Sequence, residues 1–272
     1  MTYTLIDSGD EQKLERFGDV LLSRPSAQAV WRPQLPKAAW DKADATFSRL
    51  PSNQWKKSRH LPTSWVTSWQ GIDFKIAPTD FGHVGLFPEH GLLWKWMGER
   101  IEKNDNILNL FAYTGGATLF LAKKGAKLCH VDASKGIITW ARENAALNDL
   151  EKAPIRWIVD DVLKFLTREV RRGVTYEGIL LDPPTFGRGN KGEVFKIERD
   201  LIPILDLCVQ LLSKKARFLL LTCHTPGYTP LVLDHLLHQV LKKGTISSGE
   251  LIIPSTELDL PSGTYARWHA DH

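Results

Sequence analysis

From residue 107 onward the sequence predicts a doubly wound α/β sheet, on three observations. Short apolar strand patterns alternate strictly with helical patterns, several of the strands end in glycine, aspartate or proline clusters, and the alternation stops near the C-terminus. Strands are expected at about 107–111, 127–132, 155–159, 177–182 and 216–222, separated by helices at about 116–124, 134–148, 162–171 and 195–213. Strands joined through helices must pair in parallel, with each crossover covering a face of the sheet. After a further helix at about 229–242, GTISSGELIIP and GTYARWHA read as two strands joined by STELDLPS, a loop too short for a helical crossover. The sheet therefore closes with an antiparallel hairpin, which makes seven strands.

The first 77 residues follow a different pattern. YTLID and VLLS read as short strands, Pro25, Pro33, Pro36, Pro51 and Pro62 interrupt anything longer, and SWVTSWQGIDFKIA alternates across a glycine as a hairpin does. A small β-rich appendage is expected over 1–77. A connecting segment at 78–104 follows, with closely spaced Gly82 and Gly85 and a helix opened by Pro88 over about 89–103. The main domain occupies 105–272.

Composition bounds the function classes. A hydrophobic content of 43% and a charged content of 24% are those of an ordinary globular chain. No stretch approaches the 18 or so apolar residues that a membrane helix needs, and MTYTLIDSGDEQKLERFG has no apolar signal core. Cys129, Cys208 and Cys223 are odd in number and widely spaced, which points to a reducing, cytoplasmic setting rather than a disulfide framework or zinc site. His235 and His238 lack a third ligand, so no metal is expected.

The net charge of +4 is unevenly placed: Arg24–Arg59 carries a local +6, which leaves −2 for the rest. Five of the ten Trp, namely Trp31, Trp40, Trp55, Trp65 and Trp69, lie in or beside that segment. Lys and Arg interleaved with aromatics suit a nucleic acid, with phosphates held by the cations and bases stacked on rings. Trp65 and Trp69 read as core. Trp55, beside Lys56, Lys57 and Arg59, is the candidate for RNA contact.

In open α/β sheets ligands bind beyond the carboxyl ends of the strands, and the informative clusters fall there. Tyr113-Thr114-Gly115-Gly116 follows the first strand, where the backbone can approach a ligand and a helix begins. Asp132 closes the second strand 16 residues beyond Gly116, near the spacing at which an acid meets a ribose hydroxyl, unless it caps the next helix instead. Asp160-Asp161 closes the third. One of these can cap the following helix while the other accepts from an adenine amino group, and Asp161 is the choice for adenine.

Asp182-Pro183-Pro184 closes the fourth strand. Its two prolines remove backbone donors and stiffen the chain, holding an acid and open carbonyls toward a base. Cys223-His224 closes the fifth. There the thiol is either a nucleophile, which requires a lowered pKa, or a buried packing group. His224 either tunes the thiol, serves as a base, or lines the site.

Taken together, NLFAYTGG, HVDASKG, ARENAALN, VDDVLKFL and LLDPPTF resemble the class I S-adenosylmethionine-dependent methyltransferases. The likeness is to those related to bacterial large-subunit ribosomal RNA methyltransferases of the cytosine-C5 type, and it runs from FGHVGLFPE to the C-terminus. It implies a Rossmann-like, mostly parallel seven-stranded sheet with a C-terminal antiparallel hairpin, and S-adenosyl-L-methionine as cofactor. By that resemblance Phe111, Tyr113, Gly115 and Gly116 flank the methionine moiety, Asp132 holds the ribose and Asp161 with Val162 meets the adenine. Gly85 and Phe87 also touch the cofactor, and Asp182 borders it. Cys223 would attack cytosine C6, with Asp182 assisting at N3 and Pro183, Pro184 and Phe186 around the base.

The expected function is thus methylation of RNA, ribosomal RNA first, at cytosine C5. DPPTF also resembles a guanine-N7 branch in which no covalent nucleophile is required, and TCHTPG replaces the smaller Ser-Cys-Ser-Gly-like run of the cytosine enzymes. Direct methylation of guanine N7 or of an amino group therefore stays open. So do a protein or small-molecule substrate and a non-catalytic RNA-binding module.

Overall fold

The computed structural model describes residues 2–188 and 192–271. Two compact units divide the chain: one runs to Gly91 and includes Leu251–Ser262, and the other runs from Leu92 to Glu250 and resumes at Gly263.

The first unit contains β1 (Tyr3–Gly9), β2 (Gln12–Phe17), β3 (Val20–Pro25), the short helix α1 (Lys37–Trp40), β4 (Ala45–Ser48) and β5 (Gln54–Lys57), then β6 (Trp65–Trp69) and β7 (Ile72–Ile76). Strands β1 to β5 form one sheet in sequence order, and β6–β7 is a separate hairpin. Gln70 and Gly71 both take positive φ, of 51° and 76°, as a two-residue hairpin turn demands. The sequence pattern announces β1, β3 and this hairpin but not β2, because QKLERF carries three charges in six residues. Tertiary pairing makes it a strand. Glu15 is fully buried, where it accepts from Tyr3 Oη at 2.9 Å and Arg24 Nε at 2.8 Å, with Lys13 Nζ at 3.3 Å.

A single 3₁₀ turn at Pro88–His90 leads into α2 (Gly91–Gly98). This helix is shorter than the expected 89–103. A Cβ on Gly98 would lie 2.9 Å from Phe120 Cε1, so only a residue without a side chain fits this approach. Arg100 leaves the helix to lie over Trp96, 4.2 Å from its ring centroid.

The second unit follows the predicted alternation. Its elements are β8 (Asn106–Leu110), α3 (Gly116–Lys123), β9 (Lys127–Asp132), α4 (Lys135–Leu147), β10 (Ile155–Val159), α5 (Val162–Arg171) and β11 (Gly178–Leu181). They continue with β12 (Phe186–Arg188), β13 (Val194–Lys196), α6 (Ile197–Leu211), β14 (Phe218–Cys223), α7 (Pro230–Val240) and most of β15 (Thr245–Ile253) and β16 (Leu260–His269). The sheet order is β10-β9-β8-β11-β14-β16-β15, with β16 antiparallel to β14. Strands β11 and β14, buried throughout, read GILL and FLLLTC. A core of Leu108, Leu110, Ile179, Leu181, Leu219, Leu221 and their neighbours lies under α5, α6 and α7.

Two consequences of this order place the site. Chain direction across the sheet reverses at β8, so the crevice expected for a ligand opens between β8 and β11. Leu181 pairs with Leu110 on one side and with Leu221 on the other, so Phe111, Asp182 and Thr222 leave neighbouring strands side by side. The antiparallel ribbon β12–β13 follows directly from the Asp-Pro-Pro. Sequence reading assigns its second strand to the start of a helix, which begins at Ile197 instead.

Candidate active site

The turn after β8 holds an unusual backbone. Phe111, Tyr113 and Gly115 take positive φ of 54°, 49° and 92°. For Phe and Tyr this costs roughly 1–3 kcal/mol each and persists only when neighbours enforce it. The neighbours are identifiable. Asp132 Oδ2 accepts from the Tyr113 amide at 3.1 Å, and Asn144 Nδ2 donates to the Thr114 carbonyl at 2.9 Å. The Phe111 ring packs on Phe195 of β13 with centroids 5.2 Å apart. Helix α3 begins at Gly116 with no side-chain cap, so its first-turn amides face the ligand end of the sheet.

Asp132, at the end of β9, uses Oδ1 to accept from the Ser134 amide at 2.9 Å. Burial raises its pKa, against the two amides that favour the charged form. It is not the cap of α4, because Ser134 Oγ takes that role by accepting from Ile137 N. After β10 the roles are also divided. Asp161 caps α5 with Oδ1, 3.0 Å from Lys164 N, while Asp160 accepts from the Asp161 amide and pairs with Arg168. Capping occupies one oxygen of Asp161, so a cofactor contact falls to the other. Val162 is buried against the core.

Asp182 is held from the next strand: Thr222 Oγ1 donates to its Oδ1 at 2.7 Å, and His224 Nε2 lies 3.6 Å from the same oxygen. Pro183 is buried and Pro184 exposed, while Phe186 on β12 is 49% exposed with Arg188 5.8 Å from its ring centroid. Thr185 and Thr225 join the two loops through their hydroxyls at 2.8 Å.

Cys223 is 1% exposed and belongs to the hydrophobic core. Burial raises its pKa. The Thr225 amide, 3.4 Å from Sγ, opposes that rise and the charge of Asp182 adds to it. Burial of this kind disfavours the thiolate.

Three expected contacts lie in the first unit. Gly85 is buried at φ 99°, and Phe87 is half-buried with its ring edge-on to His83 and His90. Trp55 packs on Phe47 with centroids 5.2 Å apart and donates Nε1–H to Thr79 O at 2.8 Å, so its face and its donor both serve packing. The exposed residues of its strand are Gln54, Lys56 and Lys57. Sequence reading missed Thr222, Asn144 and Phe195, whose positions depend on strand register and helix docking. ARENAALN, which holds Asn144, carried the only local hint.

A mostly parallel sheet that reverses at β8, with strained turn and acids aligned along its carboxyl edge, defines a nucleotide-cofactor enzyme of the class I type. The model of the S-adenosylmethionine-dependent methyltransferase family matches residues 47–243. The crystal structure of the SAM-dependent methyltransferase from Agrobacterium tumefaciens is 41% identical, with a TM-score of 0.95 over 100% of this chain and 91% of its own. The chain belongs to this family of S-adenosylmethionine-dependent methyltransferases.

Ribosomal RNA large subunit methyltransferase K/L of Shewanella sp. (strain ANA-3) is 32% identical over 73% of this chain, which spans about 27% of that relative's length. A tRNA methyltransferase structure from M. jannaschii shares the fold at 13% identity, with a TM-score of 0.60 over 95% of this chain and 72% of its own. The cofactor is S-adenosylmethionine, and the site's chemistry fits it: uncapped helix amides suit its carboxylate, and half-buried carboxylates suit its ribose and adenine donors. Among the described residues no helix is long and apolar enough to cross a membrane.

Proposed function

We propose that this enzyme methylates a nitrogen of an RNA base, guanine N7 or an exocyclic amine, by direct transfer without a covalent enzyme–base intermediate. The observation that carries this reading is the state of Cys223, a 1%-exposed thiol whose pKa burial raises. Cytosine C5 is a poor nucleophile until a thiolate adds at C6, whereas a base nitrogen already carries the lone pair it needs. RNA as substrate is supported by the names of the relatives and by the basic Arg24–Arg59 segment, with Lys56 and Lys57 exposed on β5. Three unpaired, buried cysteines suit work in a reducing, cytoplasmic compartment.

In this reading Phe111, Tyr113, Gly115 and Gly116 bound the methionine end, Asp132 holds the ribose, and Asp161 with Val162 meets the adenine. Gly85 and Phe87 take the part that the resemblance gives them. The bound cofactor supplies a methyl group activated by a sulfonium. Asp182, fixed by Thr222, accepts an N–H of the base and faces the positive charge that develops on the nitrogen as it takes the methyl group. Where the target is an amine, the departing proton goes to that carboxylate. Pro183 and Pro184 hold their carbonyls open, and Phe186 offers a ring face.

Two outcomes test the reading. Cys223→Ala is expected to keep methyl transfer to RNA within about threefold of wild type, and to cost about 1 kcal/mol of stability as a small buried truncation. A nucleoside methylated at guanine N7 or at an exocyclic amine should be missing from the RNA of a deletion strain when its nucleosides are analysed by mass spectrometry. Loss of 5-methylcytidine together with an inactive Cys223→Ala variant would restore the covalent route. For the cofactor side, Asp132→Ala is expected to weaken S-adenosylhomocysteine binding about 10- to 100-fold in calorimetry, the scale of hydrogen bonds to a charged group.

A further inference from the structure

Beneath the strained turn lies a buried polar chain with no role in the chemistry above. Asn109 of β8, Thr118 of α3 and His130 of β9 are 5%, 0% and 0% exposed. Asn109 Nδ2 donates to Thr118 Oγ1 at 2.9 Å, and Thr118 Oγ1 lies 3.0 Å from His130 Nδ1. With the Thr118 oxygen accepting from the amide, its own proton can point at Nδ1. The imidazole proton is then placed on Nε2.

Among the described residues that nitrogen is buried without a partner of hydrogen-bond geometry. The polar group that favours its protonation is the Tyr113 main chain, and burial nonetheless takes the ring's pKa down to about 3, so it stays neutral. The ring lies directly under the turn: a Cβ on Gly115 would sit 3.6 Å from His130 Cε1. Its opposite support is Trp157 of β10, with centroids 4.8 Å apart.

A buried polar group left this way is costly unless it serves a purpose. The other two supports of the turn, Asp132 on the Tyr113 amide and Asn144 on the Thr114 carbonyl, already show that its left-handed residues are held by side chains. We propose that His130 is a positioning residue for the cofactor, its Nε2–H held beneath Tyr113 by the Asn109–Thr118 chain so that Phe111–Gly115 stays in the conformation that receives the methionine end. This rests on the assignment of that turn to S-adenosylmethionine.

The test compares S-adenosylhomocysteine binding by calorimetry, and KM for S-adenosylmethionine against kcat, in wild type, His130→Phe, His130→Gln, Thr118→Val and Asp132→Ala. His130→Phe fills the space without the polar atoms. It is expected to weaken binding and raise KM about tenfold, the scale of losing one polar support of the turn, with kcat at saturating cofactor within about twofold. Thr118→Val, which severs the chain below the ring, should move both in the same direction by a smaller factor. His130→Gln, which keeps an N–H at the end of the side chain, should recover most of the loss.

A His130→Phe variant that binds within twofold of wild type while its melting temperature falls overturns the proposal and makes His130 a packing residue. If that variant does not fold, Thr118→Val decides: binding within twofold of wild type overturns it equally. Weakened binding in Asp132→Ala with His130→Phe unaffected refutes the role of His130 alone. Unchanged binding in Asp132→Ala instead refutes the assignment of the turn to the cofactor, and the proposal with it.

Discussion

Replacing Asp182 by Asn is expected to lower methyl transfer to RNA about 10²–10³-fold, the usual cost of removing one preorganised group that faces charge developing in a transition state. The substitution keeps the shape and still accepts the Thr222 hydroxyl, which lies 2.7 Å from Oδ1. The loop should therefore stay in place and only the negative charge should be lost. S-adenosylhomocysteine affinity is expected to change less than about threefold, because the effect belongs to the transition state rather than to ground-state binding. Single-turnover transfer of a radiolabelled methyl group, run beside calorimetry, separates the two quantities. Equal losses of rate and cofactor affinity would make Asp182 a cofactor ligand first, and an unchanged rate would remove it from the chemistry. Thr222→Val, which deprives the carboxylate of its support, should lie between wild type and Asp182→Asn.

Glu15→Ala is expected to produce the largest loss of stability, about 3–5 kcal/mol, because it strands a buried partner rather than deleting a surface charge. Arg24 is 7% exposed and keeps only its bond to the Gly82 carbonyl, and the Tyr3 hydroxyl loses its acceptor. Glu15→Gln should cost less, since the amide oxygen still accepts. The same cluster implies a pH dependence. Burial alone would raise the Glu15 pKa, but the charges of Arg24 and Lys13 and the hydrogen bonds from Arg24 and Tyr3 overcome it and leave the value below the ordinary 4.5. A carboxyl depressed in the folded state stabilises fully above its unfolded pKa and loses that contribution as pH falls through the folded value. Acid should therefore weaken the first unit of wild type more than that of Glu15→Gln. Tryptophan fluorescence monitors this, since Trp31, Trp40, Trp55, Trp65 and Trp69 all lie in that unit. Identical acid midpoints for the two proteins would refute the linkage.

The second unit was legible because its physics is local. Runs such as GILL and FLLLTC are apolar on both faces, which only a strand covered on both sides satisfies. Helix starts are marked by Ser134, Asp161 and Thr229, each of which caps a helix. The first unit was less legible, since β2 depends on Glu15 meeting Arg24 from a neighbouring strand. Ribbon β12–β13 was hidden because its three-residue strands, FGR and VFK, carry too little pattern to register.

The sequence by itself determined the fold class, the terminal hairpin and the order in which the chemically active clusters follow their strands. These depend on local alternation and on turn residues, which are written along the chain. Tertiary structure alone supplies the surroundings of Cys223. The same TCH reads as nucleophile or packing in one dimension, and only the cover of α6, α7 and β16 over β14 excludes water from the thiol and raises its pKa. It also sets Thr222 against Asp182 and His130 beneath the Phe111–Gly115 turn. Strand register and helix docking bring those pairs together from residues 40 and 17 positions apart.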